Sequence, residues 1–163
     1  MDQYYDVLGS FATGVTVITA GGEIPGGMTA NSFTSVSLDP PMILVCVNRL
    51  AAVHHAVLEC GSFAVSVLSS CQEHVARHFA NHARARGASE FDVVSWAPAP
   101  NTGAPVIDGA LAWLECELTA VYAAAGHSIF LGSVLATGRG PARDALVFFD
   151  GGFHGPGLRR ESP

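Results

Sequence analysis

The side chains best able to make directed polar contacts crowd into one stretch. Residues 26–41, GGMTANSFTSVSLDPP, carry Thr29, Asn31, Ser32, Thr34, Ser35 and Ser37 between single apolar residues, and lead into the apolar segment MILVCVN. Hydroxyls and amides beside a core need hydrogen-bond partners. Two readings are open from the residues alone. Alternating Thr and Ser can face water on a half-exposed strand, or they can line a pocket whose ligand brings its own polar groups. Histidines form the second group. His74, His78 and His82 recur at i, i+4 and i+8. Two histidines at that spacing can hold a metal, but HExxH is absent, and a solvated helix face accounts for the pattern. His54 and His55 are neighbours, so a helix points them apart and puts at least one at the surface. His127 follows Ala125-Gly126 and opens the segment SIFLGSV, from where it can reach a pocket mouth or simply face water.

Other chemistries lack their residues. GGEIPGG at 21–27 does not have GxGxxG spacing and leads into a strand pattern, so it is no dinucleotide fingerprint. Walker A and GxSxG motifs are absent. Cys46, Cys60, Cys71 and Cys116 form no CxxC pair, and free thiols are expected rather than disulfides, buried at 46 and 116. The chain of 163 residues has 14 acidic and 8 basic residues, all of the latter Arg, for a net charge of −6. An acidic chain without a basic run is a poor nucleic-acid binder. An anionic ligand would have to be met locally, by Arg, by backbone N–H groups or by a helix N-terminus. No apolar run approaches the ~18 residues of a membrane span, and MDQYYD has no basic-then-apolar leader pattern. The expectation is a cytoplasmic protein without nucleic-acid or membrane partners.

The elements that must position these groups follow from periodicity. DQYYDVLGSF (2–11) reads as an amphipathic helix, GVTVITA as a strand and GGEIPGG as a turn. Period-two alternation over 28–37 predicts one strand, with Thr29, Asn31, Phe33, Ser35 and Ser37 on one face. MILVCVN predicts a strand buried on both faces. Residues 51–60 read as a helix, 62–69 as a strand and 71–85 as a helix through Val75, Phe79 and Ala83. Residues 86–105 read as loop. Two long strands at 111–124 and 127–138 are joined by the tight turn Ala125-Gly126, and 145–154 forms a last strand or hairpin. Short helices and about seven strands without regular alternation predict a mainly β fold, an antiparallel barrel closed or nearly so. The domain expected is residues 1–154, with a disordered tail at 155–163.

A flavin suits the 26–41 stretch physically. Its ring has an apolar end and a polar edge, and its ribityl chain carries hydroxyls. At these residues the chain resembles the flavin reductase-like family, the short-chain NAD(P)H:flavin oxidoreductases that serve as reductase components of two-component flavin-dependent monooxygenases. The resemblance runs from about residue 8 to 154, through FATGVTVITA, GMTANSFTSVSLDPPMILVCVNR, SFAVSVLS, ARHFA, PVIDGALAWLECELTAVY and GHSIFLGSV. It implies a flavin-binding split β-barrel and a homodimer. It implies that Thr29, Ala30, Asn31 and Ser32 line the isoalloxazine and ribityl, with Ser37 further along and Cys46, Val47 and Asn48 on the adjoining strand. The segment Arg49 to Ala52, Ala51 included, at the start of the next helix would receive the flavin phosphate, Phe79 would pack near the site, and His127 would meet the nicotinamide substrate.

The chain departs from the family pattern at three places. Ala51 stands where a phosphate-loop serine is frequent. Ser89-Glu90-Phe91 replaces Asp-Lys-Phe, exchanging a phosphate-facing cation for an acid, so Arg84 or Arg86 is expected to take over. Ala125-Gly126-His127 replaces Gly-Asp-His. The implied activity is an NAD(P)H-dependent flavin reductase, with NADH favoured over NADPH, handing reduced FAD or FMN to a partner monooxygenase. Two alternatives stand beside it: a flavin- or haem-binding barrel without reductase activity, and a metal site on the 74/78/82 histidines.

Overall fold

β-branched and aromatic runs become strands here, and the Gly- and Pro-bearing segments between them become turns. The computed structural model describes residues 2 to 155; the tail expected to be disordered lies, from residue 156 onward, outside the described residues. In chain order the elements are α1 (Asp2–Gly9), β1 (Thr13–Gly14), β2 (Thr16–Ala20), β3 (Gly26–Ala30), β4 (Thr34–Leu38), β5 (Pro41–Asn48), α2 (Ala52–Cys60), β6 (Ser62–Val67), α3 (Glu73–Ala80), β7 (Trp96–Pro98), β8 (Pro105–Ile107), β9 (Ala112–Ala124), β10 (His127–Arg139), β11 (Val147–Phe149) and β12 (Gly152–His154).

Seven strands form one sheet in the order β3-β2-β6-β9-β10-β5-β4, and each neighbouring pair is antiparallel. β3 and β4 sit at opposite edges of this sheet, yet only Asn31, Ser32 and Phe33 separate them in the chain. The four peptide steps from Ala30 to Thr34 span at most about 14 Å. The sheet must therefore curl until its edges nearly meet. It does so as an open barrel, split between β3 and β4. Register shifts at Leu131/Gly132 and Val134/Ala136 bend the long β9–β10 hairpin. A Cβ on Gly132 would stand 2.7 Å from the Phe63 ring, so the bend needs glycine there.

The crossing overturns the single strand expected over 28–37. The backbone bends at Asn31, leaves one sheet edge and joins the other, so 28–37 is two short strands rather than one. Thr34 lies opposite Leu44; extending that register by two residues puts Ser32 opposite Cys46. There the side chain replaces the missing ladder. Ser32 Oγ donates to the Cys46 carbonyl at 3.1 Å and accepts from the Cys46 N–H at 3.0 Å.

Other differences have equally local causes. β5 is not buried on both faces: Ile43, Val45 and Val47 point inward, while Met42, Leu44, Cys46 and Asn48 are half-exposed. The expected buried thiol at Cys46 is therefore half-exposed. α3 stops at Ala80 because Asn81 is extended and its Oδ1 accepts from the Ala83 N–H at 2.9 Å. Residues 86–105 contain β7 and the first residue of β8, and Glu115 pins the loop beside them. Its buried carboxylate accepts from the Asn101 and Thr102 N–H groups at 3.0 and 2.9 Å, and from both side chains. Burial pushes the Glu115 carboxyl up, but these donors outweigh it and hold the group below its ordinary value.

β2 is buried on both faces. On one, Ile18 packs with Val45, Val47, Phe63 and Phe130 inside the barrel, beneath Val53 and Val57 of α2. On the other, Val17 packs with Leu68, Val75, Phe79 and Leu146, beneath α3. Both helices press on β3. A Cβ on Gly26 would meet the Val53 backbone at 2.9 Å, and one on Gly27 would meet the Phe79 ring at 2.6 Å. The glycine pair thus draws the start of α2 and the end of α3 to the same strand.

Candidate functional site

Where both helices meet β3, beside the split, the surface opens into a cleft of about 360 Å³. Its floor is Met28, Thr29 and Ala30 of β3, then Asn31 and Ser32 of the crossing, then Cys46 and Asn48 of β5. Leu50, Ala51 and Ala52 form one wall. Phe79, Ala80, His82, Arg84 and Arg86 form another, and His127 closes a third side at the start of β10. Four distant stretches of sequence converge here because the barrel brings its two edges together.

Most of the residues expected at a site are in this lining. Three are not. Val47 is fully buried and faces the barrel interior, since neighbours on a strand point to opposite faces. Ser37 lies opposite Met42, towards the far end of β4 from the crossing. Arg49 contributes its backbone N–H to the Gly126 carbonyl at 3.0 Å, and its exposed side chain is outside the lining. Met28, Ala80 and His82 were not foreseen, whereas Leu50 falls in the expected segment 49–52. Met28 was assigned to the opposite strand face, and His82 to the helix that in fact ends two residues before it.

Two hydroxyls of the opening cluster are already engaged. Thr29 Oγ1 donates to the Ala76 carbonyl of α3 at 2.7 Å, and Ser32 bridges to Cys46. What this stretch presents to the cleft is its backbone, together with the exposed side chain of Asn31.

The electrostatics are one-sided. The chain has 14 acidic residues, yet the lining has none, and it has two Arg and two His. α2 begins at the cleft with Ala51 as its N-cap, no side-chain cap and no acid in its first turn. A helix N-terminus left uncapped by its own side chains favours an anion. A planar ring bearing a phosphate fits this set: small residues on the floor, and positive ends on the walls.

Arg84 has a different task from the one expected. Its Nε lies 2.8 Å from Glu90 Oε2, it donates to the carbonyls of Asn81 and Gly27, and it sits over the Phe79 ring at 5.5 Å. Glu90 is only 1% exposed and also accepts from the Gly27 N–H at 3.2 Å. Burial pushes the Glu90 carboxyl up, while Arg84, the Gly27 N–H and His78 pull against it. Glu90 is thus an interior acid held by Arg84, and the exposed cation left on this wall is Arg86.

The helical histidine pattern dissolves. His74 is exposed, His78 Nε2 lies 2.7 Å from the Glu90 carbonyl oxygen, and His82 is at the cleft. Among the described residues no three His, Cys, Asp or Glu side chains converge on a metal position. The four cysteines are free. Burial, with Glu115 adding to it, pushes the Cys116 thiol up to about 12, which keeps it inert. His54 is buried and His55 exposed.

Comparison with known proteins agrees with this geometry. The flavin reductase like domain matches residues 8–157. An NADH-dependent FAD reductase of Streptomyces globisporus is 51% identical over 147 residues, spanning 90% of this chain and 81% of that protein. The crystal structure of BorF, the flavin reductase component of a bacterial two-component tryptophan halogenase, is 53% identical with a TM-score of 0.91, over 98% of this chain and 99% of the other. The NADH:FAD oxidoreductase of Streptomyces globisporus C-1027, solved in complex with NAD and FAD fragments, is 48% identical with a TM-score of 0.86, over 99% and 93%. With its split barrel and its cationic cleft at the seam, the chain belongs to the flavin reductase-like family.

Proposed function

We propose that the chain is an NADH-dependent flavin reductase that takes FAD in preference to FMN, releases the reduced flavin to a partner oxygenase and works as a cytoplasmic homodimer. The observation that carries this is a cleft without a carboxylate, faced by the α2 N-terminus, in a chain of net charge −6. The relatives named for NADH and FAD support the choice of both nucleotides. When bound, the two nucleotides supply the redox chemistry themselves: a hydride leaves nicotinamide C4 for flavin N5, and a proton from solvent completes the reduced flavin.

The chain's own residues position and exclude. The backbone of 29–32 offers a flat floor, and Asn31 can pair with polar flavin atoms. The first turn of α2 receives phosphate without help from a side-chain cap, since Ala51 has none to give. Arg86 adds a solvated cation. His127, exposed and opposite Asn48 in the β10–β5 register, meets the nicotinamide. An uncapped helix end and one exposed arginine make a modest phosphate site, which suits a flavin that must leave. The dimer is supported by Tyr4, Tyr5, Val7 and Leu8 of α1, all exposed in the single chain.

The test is NADH oxidation with FAD, FMN or no added flavin. The expected result is turnover that requires added flavin and saturates at lower FAD than FMN. A demonstrable flavin complex that oxidises neither NADH nor NADPH would replace the reductase by a binding module.

A further inference from the structure

His54 is the third residue of α2 and is only 6% exposed. Its Nε2 lies 2.9 Å from Ser128 Oγ, a hydroxyl that is itself buried. The ring lies against Phe130 with centroids 5.1 Å apart. Its other nitrogen, Nδ1, is buried without a partner. The two ends of this bond belong to two walls of the cleft. His54 follows Ala51 and Ala52 by a single turn, and Ser128 is the neighbour of His127. A second link, from the Arg49 N–H to the Gly126 carbonyl at 3.0 Å, spans the same gap from the outside.

We propose that His54 and Ser128 form a buried clamp that sets the separation of the α2 N-terminus from His127, and that His54 is thereby a positioning residue for hydride transfer. This rests on the flavin reductase reading, in which the first wall receives the flavin phosphate and the second meets the nicotinamide. An aliphatic side chain could fill the same space without stranding Nδ1. What the imidazole adds is a directional bond between elements 74 residues apart. The ring is neutral in this role. Burial lowers the His54 pKa, and the charges of His55 and Arg49 lower it further. Protonation would put a second N–H on the buried face that has no acceptor. Either neutral tautomer makes one bond to the Ser128 hydroxyl. Because hydride transfer is steep in distance, a small slackening between the walls should slow it without removing either nucleotide's contacts.

The experiment compares Ser128→Ala, His54→Leu, their double variant and His54→Gln, whose amide can still reach the hydroxyl. Single-turnover reduction of bound FAD by NADH should slow about tenfold in each of the first two, with flavin Kd nearly unchanged, and the melting midpoint should fall more in Ser128→Ala, which strands the buried imidazole, than in His54→Leu. The double variant should be no slower than the worse single, and His54→Gln should recover most of the rate. In flavin-free protein, amide exchange in residues 48–54 and 126–130 should quicken together in Ser128→Ala. Unchanged reduction rates, losses that multiply in the double variant, or a rate loss matched by equal loss of FAD affinity would each overturn the proposal. Wild-type protein that oxidises no NADH would retire the reductase reading, and the exchange data would still decide whether the clamp joins the two walls.

Discussion

Arg84 and Arg86 stand two positions apart on the cleft wall, and opposite roles are expected of them. Arg84 neutralises buried Glu90, so Arg84→Ala leaves an unpaired interior carboxylate. A loss of stability of about 3–5 kcal/mol is expected, read as a lower denaturant midpoint, and Arg84→Ala combined with Glu90→Gln should recover part of it. Arg86→Ala should leave the midpoint unchanged and weaken FAD binding about fivefold, the scale of one solvated charge contact at ~1 kcal/mol. A flavin titration that ranks the two variants the other way would reverse the assignment. Asn31→Leu should also weaken FAD, by removing the exposed amide of the floor. Sequence placed Arg84 in the site but could not settle which arginine faces the ligand. That depends on where Glu90 folds, and an acid in place of a cation gives no sign that it will turn inward. Val47 was misplaced for a related reason: an all-apolar strand hides its period, and only Asn48 and the half-exposed Cys46 reveal the outward face.

At the scale of elements, the site depends on how closely two helices approach β3. Gly26→Ala would drive a methyl into the Val53 backbone, which has no rotamer to yield. The expected result is a destabilised protein in which α2 is displaced from the cleft, seen as a lowered melting temperature with a raised FAD Kd. The Glu115 knot predicts a pH effect of definite sign. Its carboxyl is held below the ordinary value, so its contribution is complete at neutral pH. That contribution fades as pH falls past about 4.3 and is gone below the depressed folded value. Unfolding free energy should therefore drop on acidification, and Glu115→Gln should flatten that slope while lowering stability at neutral pH. Helices, turns and the long hairpin were legible from periodicity and glycine placement. The break at Asn31-Ser32-Phe33 was not. Alternation reports the extended stretches on either side, and it does not say that they pair at opposite edges of the sheet.

For the whole molecule, family membership was readable because the motif blocks span nearly the entire chain in order. Their meaning is topological: the blocks cover the strands of the seven-stranded sheet and the end of α3, and the cleft draws on β3, the crossing, β5, the start of α2, the end of α3 and the start of β10. The proposed dimer predicts a sedimentation mass twice that of the chain, and a shift to single chains when Tyr4 and Leu8 of α1 are both replaced by Asp. A single-chain mass for the wild type would discard it. Within the described residues no helix is long and apolar enough to cross a membrane.

The seam has a kinetic consequence. The chain tethers its two edge strands at Ala30 and Thr34 from the start, but the sheet that joins them the long way round is complete only after the five strands between them have paired. Those pairings join residues as far apart as Met42 and Ser133, or Ser62 and Glu117. Long-range pairings of this kind form slowly. The cleft is thus the last part of the barrel to exist, and refolding protein should regain its far-ultraviolet dichroism before it can quench flavin fluorescence.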